Sequence, residues 1–391
     1  MSGPMQGTRV VELGIWVAAP SGGAILADWG ADVIKLEPPT GDPLRQIRHV
    51  LGPDIVDCPF FDADNRSKRS VALDLRSSEE LASALELIDS ADVFLTNIRP
   101  AALERLGLDS RTLLERKPDL VYAIVTGYGL EGPDAAAGAY DMGAYWARGG
   151  VADSLTQPGG ETPIQRSGMG DHVTGITVAG MISAALLHRE RTGEGQLVST
   201  SLLRVAAWQI SSDINMRLML DREPTRNQRT TEANPVWNNY SAGDGKKFWL
   251  MGVEADRHWP KLLRLVDRPE WATEPRYATP ALRGENAVEI IALLDEIFVT
   301  RTRAEWGALF DTERDFFWSP VNTVDEVISD PQTHASGSII DVPKGDTTVA
   351  MVASPADFHG TPAAPSRFAP LLGEHTDELL TELASRRATT R

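Results

Sequence analysis

RVVELGIWVAAPSGGAILADWGADVIKLEPP, residues 9–39, is the stretch whose reading decides the fold. Residues 9–13 are a short apolar run of the kind that makes a buried strand. GIWVAAPSGG follows, then AILADWG, a short helical pattern stopped at Gly30. ADVIKLEPP is a second strand, ended by Pro38 and Pro39. Strand, helix and strand in so little chain predict a βαβ unit. Glu37 falls where dinucleotide-binding folds place a ribose-binding acid. The loop after Leu13 carries Trp16 and Pro20 instead of GxGxxG, which counts against a nicotinamide or flavin site.

The alternation continues downstream. NRSKRS (65–70) reads as a polar turn whose Arg66, Lys68 and Arg69 could clamp a phosphate, leading into the strand VALDL. SSEELASALELIDS is a capped amphipathic helix and ADVFLTN a strand. RPAALERLG is a helix with proline at its start and Gly107 after its end, SRTLLERKP another helix, and DLVYAIVTGYG a strand. This order implies an α/β fold with a mostly parallel sheet and helices on both faces. Residues 128–170 form a glycine-rich excursion too long to be a plain connection, with Tyr140 and Asp141 as its polar aromatic and acidic pair.

SGMGDHVTGITVAGMISAALLHRERTGEGQLVSTSLL (167–203) follows. Asp171 is placed as the N-cap of an apolar helix that ends in His188, Arg189 and Arg191, before Gly193. The run is apolar on nearly every face, so the helix is expected to be buried. The helix dipole is expected to keep Asp171 ionised. Gly168, Gly170 and Gly175 are expected to leave room for a ligand beside it. A cap explains such an acid as well as a nucleophile does. RVAAWQISSDINMRLML is then read as one long helix, and NNYSAGDGKKFWLMGV as two strands about a hairpin turn. ADRHWPKLLRLV, AVEIIALLDEIFVT and RAEWGALFD are helices of a small α+β domain.

The 391 residues carry a net charge of −17, which argues against a nucleic-acid partner. The single cysteine, Cys58, permits no internal disulfide, and seven scattered histidines predict no metal site. There is no charge-free run of about 18 apolar residues and no hydrophobic N-terminal signal core, so a cytoplasmic enzyme with no membrane span is expected.

Taken in order, several segments resemble the class III CoA-transferases, the formyl-CoA transferase and α-methylacyl-CoA racemase superfamily. They are residues 10–39, NRSKRSVALDL, ADVFLTNIRPAALERLGL, AYDMGAYWARGG, GMGDHVTG, ALLHRERTGEGQLVSTSLL, PVNTVDEVISDPQ and APLLGEHTDELL. The resemblance implies a Rossmann-like large domain over 1–208, a linker over 209–235 and a small α+β domain over 236–325. A second linker over 326–370 and a C-terminal helix over 371–391, returning to the large domain, complete it. It also implies an interlocked homodimer, with acyl-CoA and a small carboxylic acid as partners and no permanently bound cofactor. Asp171 matches the family's nucleophile, which would pass through an aspartyl anhydride and an aspartyl-CoA thioester. Ala18, Lys68, Arg69, Asn97 and Arg105 match CoA-binding positions, and Val17, Tyr140, Asp141 and Gly170 are the substrate-binding expectations.

Three departures qualify the resemblance. Pro38 stands where the family often has arginine. Tyr140 precedes Asp141 where the racemases have histidine, which favours transfer over racemisation. NNYSAGDGKKFW lacks the glycine run of formyl-CoA transferase, so formate and oxalate are not expected substrates; Trp146, Trp237 and Trp249 are expected to line a larger acyl pocket. An acyl-CoA racemase or isomerase and a non-catalytic acyl-CoA-binding protein are the alternatives.

Overall fold

The structure, a computed structural model, describes residues 3–52, 54–224, 226 and 228–390. Met1, Ser2, Pro53, Thr225, Asn227 and Arg391 fall within the expected domain and linker spans but lie outside the described residues. The chain forms two compact units, one of residues 1–156, 162–223 and 335–391, the other of residues 157–161 and 224–334.

The first unit alternates β1 (Arg9–Leu13), α1 (Ala18–Asp28), β2 (Asp32–Glu37), α2 (Arg48–Leu51), α3 (Pro59–Asn65) and β3 (Arg69–Ala72). It continues through α4 (Ser78–Asp89), β4 (Val93–Thr96), α5 (Pro100–Leu106), α6 (Ser110–Arg116) and β5 (Val121–Thr126). After a π-helical turn at Met142–Ala147 come α7 (Val151–Leu155), α8 (Met169–Thr192), β6 (Gln196–Ser201), α9 (Leu202–Gln209) and α10 (Ser211–Leu220). All six strands pair in parallel, in the order β3-β2-β1-β4-β5-β6. The order reverses between β1 and β4, and the crevice beyond that point is where such sheets hold ligands.

Alternate residues of each strand feed opposite faces of the sheet. Val10, Val33, Val93 and Val121 pack with α1 and α8; Val11, Ile34, Phe94 and Tyr122 face the other core, with Leu379 and Leu383. Two glycines set the approach of α1 to α8. A Cβ on Gly175 would lie 2.2 Å from Ser21 Oγ, and one on Gly22 would lie 2.6 Å from Val178. Thr174, Gly175, Val178, Ala179, Ile182 and Ala185 form the buried stripe of α8, while Ile176 and Leu187 are half-exposed. The helix is therefore amphipathic in its environment, not buried all round as its composition suggests. It is long and apolar enough to cross a bilayer by composition, yet here its inner face is packed in the core.

The long helix expected after β6 breaks at Ile210 into α9 and α10, so the span read as a linker from 209 is helical to Leu220. The second unit holds β7 (Trp237–Ser241) and β8 (Lys247–Met251), the expected hairpin. It adds α11 (Ala255–Leu265), α12 (Pro280–Glu285), α13 (Ala287–Phe298), α14 (Arg303–Phe310) and β9 (Trp318–Pro320), a third strand antiparallel to β8. α15 (Val324–Ser329) and α16 (Pro331–Ala335) follow. The stretch read as a second linker contains an antiparallel hairpin, β10 (Ile339–Lys344) and β11 (Thr347–Val352). α17 (Thr376–Thr390) ends the chain against β3 and α4.

Because a Cβ at Gly175 would also lie 3.0 Å from the Gly22 backbone nitrogen, Gly175→Ala is expected to lose about 1–3 kcal/mol of stability by overpacking. Urea denaturation of the two proteins measures it.

Candidate active site

The loop after β1 is set by a buried charge network. Lys35 Nζ lies 3.2 Å from Glu12 Oε1, 3.0 Å from Asp42 Oδ2 and 3.0 Å from the Gly14 carbonyl oxygen. Lys68 Nζ donates to Glu12 Oε2 at 2.7 Å, to the Pro20 carbonyl at 2.8 Å and to Asn65 Oδ1 at 3.0 Å. Arg45 grips Glu37 through two nitrogens, at 2.6 and 2.8 Å. Burial opposes the charge on Lys35, but Asp42, Glu12 and Glu37 outweigh it and hold its pKa above the usual lysine value. Asp42 in turn accepts from the Trp16 amide at 3.1 Å. Asn97, just past β4, accepts from the Ile15 amide at 3.0 Å and donates to the Ile15 carbonyl at 2.7 Å. Trp16 is thereby held at φ 61°, a left-handed conformation that bulky side chains rarely adopt.

A cleft of about 810 Å³ opens beyond the β1–β4 reversal. Trp16, Asn97, Thr126, Tyr140, Asp171, Arg105 of α5 and Arg99 at its N-cap are among its lining residues. Among the described residues, Asp171 is the cleft's sole lining carboxylate, and neither Arg99 nor Arg105 has an ion-pair partner.

Asp171 lies in the first turn of α8, at its third helical position; Gly168, at φ 75°, is the N-cap, not Asp171 as its sequence position suggested. The dipole does not decide its charge either. Burial pushes the carboxyl up and the Asp141 carboxylate adds to this, so that its pKa reaches about 7 against the pull of His172. His172 Nε2 meets Asp64 Oδ1 at 3.2 Å, and that contact raises the imidazole pKa. Asp141 Oδ2 accepts from Gln165 Nε2 at 3.0 Å. Among the described residues no cluster of three histidine, cysteine or acidic side chains is placed to hold a metal ion.

Residues 5–376 match the family model described as CoA-transferase family III. The chain belongs to CoA-transferase family III. It is 29% identical to an (R)-2-hydroxy-4-methylpentanoate CoA-transferase of Clostridioides difficile, over 97% of this chain and 95% of the relative. It is 32% identical to a succinate–glutarate CoA-transferase of Agrobacterium fabrum, over 97% and 96%. Its fold superposes on the crystal structure of a CAIB/BAIF family protein from Brucella suis with a TM-score of 0.86 and 31% identity, covering 98% of this chain and all of that one (100%). The protein is thus an enzyme of the class III CoA-transferase family, with CoA thioesters as its substrates.

Of the residues matched to this family, Ala18, Asn97, Arg105, Tyr140 and Asp171 line one cleft. The others do not. The basic turn is spent on internal pairs: Arg66 on Asp28 at 2.6 Å, Lys68 on Glu12, and Arg69 on Asp32, Glu378 and Glu382. Arg69 opens β3 instead of preceding it, and Lys68 is fully buried, its pKa pushed down to about 8 by that burial. Neither presents a free charge to a phosphate within this unit. Val17 packs on the Leu44, Cys58 and Phe61 cluster. Asp141 is turned to Gln165, outside the cleft lining. Gly170 is glycine because a Cβ there would lie 2.5 Å from the Tyr145 ring, so the space beside it belongs to the protein and not to a ligand. Trp146 is core, with its indole nitrogen on the Pro163 carbonyl at 3.1 Å; Trp237 and Trp249 stand on the sheet of the second unit. The sequence signal of Arg99 is its place in IRP, directly before the helix of Arg105, and that of Trp16 is only its place in the loop that lacks the glycine motif.

Asp171 binds its proton more tightly folded than unfolded, so its charge lowers stability as pH rises from about 4 to about 7. Asp171→Asn is expected to be more stable than the parent by about 1–2 kcal/mol at pH 8, and equal to it below pH 4, because the carboxylate keeps some solvent contact. Denaturant titrations at the two pH values measure the difference.

Proposed function

We propose that this enzyme moves coenzyme A from an acyl-CoA donor to a carboxylic acid acceptor, with Asp171 as the covalent carrier. The observation that carries the reading is a lone lining carboxylate, Asp171, in a cleft whose free cations are Arg99 and Arg105. The Asp171 carboxylate attacks the thioester carbonyl, the carbon–sulfur bond breaks, and an aspartyl anhydride and CoA thiolate result. The thiolate attacks the aspartyl carbonyl, giving an aspartyl-CoA thioester and the donor acid. The acceptor carboxylate attacks that thioester to form a second anhydride, and the thiolate returns to its acyl carbon, freeing Asp171. The thioester energy is kept throughout. The amide of Asp171, in the first turn of α8, has no intrahelical carbonyl to bond and suits the developing oxyanions. Arg105 from α5 and its neighbour Arg99 suit the CoA diphosphate.

Burial that lifts the Asp171 pKa also makes its ionised form a stronger nucleophile, at the cost of a smaller ionised fraction below pH 7. The relatives' names run from a branched hydroxy acid to dicarboxylic acids, so they select no substrate pair. A racemase reading is disfavoured by Tyr140, which supplies no imidazole base beside Asp141.

The homodimer belongs to this reading. Trp208, Leu218, Met219 and Leu220 on α9 and α10 are exposed apolar side chains, and a second copy of the chain would cover them. Light scattering is expected to give the mass of two chains, and a monomer at micromolar concentration would refute the dimer.

Incubation with an acyl-CoA donor, a hydroxylamine quench and peptide mass spectrometry are expected to place the modification on Asp171. Asp171→Ala is expected to abolish it and to lower turnover by at least about 10³-fold. The rate of adduct formation is expected to rise with pH through about 7. A bound donor that leaves no adduct but exchanges its α-proton with solvent would replace transfer by racemisation.

A further inference from the structure

The cleft wall near Asp171 is built from aromatic and apolar side chains. Trp16 and Tyr140 meet edge to face, with ring centroids 5.8 Å apart and planes at 80°. Ile98, Ala139 and Met142 continue the apolar lining. Trp16 holds this place against its backbone preference, at φ 61°, where glycine would fit without strain. The Asp42 contact to its amide and the Asn97 clamp on Ile15 oppose relaxation of the loop. Tyr140 is 67% exposed and so is free to meet a ligand.

Charge points the same way. Arg148, whose guanidinium stacks 4.8 Å from the ring of the cleft residue Tyr128, is spent on Asp134 at 2.6 Å. That leaves Arg99 and Arg105, which the proposed function assigns to the CoA phosphates. Around Asp171 itself the neighbouring charges are Asp141, His172 and Asp64, and His172 is already paired with Asp64. A second carboxylate on the acyl chain would meet like charge without a free cation.

We propose that Trp16 and Tyr140 form an acyl-selecting wall that admits aromatic and branched apolar monocarboxylic acids and rejects dicarboxylic ones. This rests on the transferase reading for the placement of CoA, and two readouts separate them. The first is the aspartyl adduct formed from 3-phenylpropionyl-CoA, 4-methylpentanoyl-CoA and succinyl-CoA. The two apolar donors are expected to react at least about 100-fold faster than succinyl-CoA, as kcat/KM. The second is calorimetric binding of the same three thioesters, which needs no chemistry. 3-Phenylpropionyl-CoA is expected to bind at least about 10-fold more tightly than succinyl-CoA. Trp16→Ala is expected to cut both preferences about 10-fold while leaving the affinity for free CoA within about 2-fold, and Trp16→Phe to retain them. Should Trp16→Ala fail to fold, Tyr140→Ala, altered on an exposed ring, is expected to reduce the same preferences. Succinyl-CoA reacting or binding as well as the apolar donors would overturn the proposal, as would equal loss for all three in Trp16→Ala. Preferential binding of 3-phenylpropionyl-CoA with no adduct from any donor would sink the transferase reading and leave the wall standing.

Discussion

The structure of the site depends on a set of charges that are buried, apart from a partly exposed Arg45. Glu12, Glu37 and Asp42 are matched by Lys35, Lys68 and Arg45 at the C-terminal ends of β1 and β2. Removing such ions from water costs several kcal/mol each, and their mutual attraction offsets that cost only while every partner stays in place. The network therefore acts as a single geometric constraint. Through Asp42 and Gly14 it fixes the loop that carries Trp16, and Asn97 fixes the same loop from β4. The crevice at the sheet's reversal is held open by this loop on one side and by α5 on the other.

Asp171 is delivered to that crevice by a second constraint, the close approach of α1 to α8. Gly22 and Gly175 remove the side chains that would separate the helices, so the first turn of α8 is drawn in beside the start of α1. The same approach strips water from the carboxylate. Burial and Asp141 then outweigh the helix dipole, which alone would keep the acid ionised. A carboxylate that is costly to ionise is destabilising for the fold and useful for covalent chemistry, a conflict that functional sites commonly show.

Much of the architecture was legible because local patterns carried it. β1, β2, β4 and β5 follow from short apolar runs, and β3 begins two residues before the run read for it, at Arg69. Gly107 and Gly193 terminate α5 and α8 in left-handed conformations, as their positions suggested. The basic turn was the clearest misreading. Arg66, Lys68 and Arg69 look like a phosphate clamp in sequence, where Asp28, Glu12 and Glu382 are 38, 56 and 313 residues away. Only the folded chain shows that each cation already has its anion. The same limit applies to Gly170, whose missing side chain makes room for Tyr145 and not for a ligand.

The sequence by itself determined the βαβ alternation, the parallel sheet, the position of the apolar helix behind Asp171 and, through ordered motifs, the family. These are properties of periodicity, turn chemistry and spacing, which act over a few residues. Tertiary structure decided which charges are free, which side chains line the cleft and what proton affinity Asp171 has. Those depend on burial and on partners far apart in the chain, because the energy of a charge is set by the medium and the ions that folding places around it.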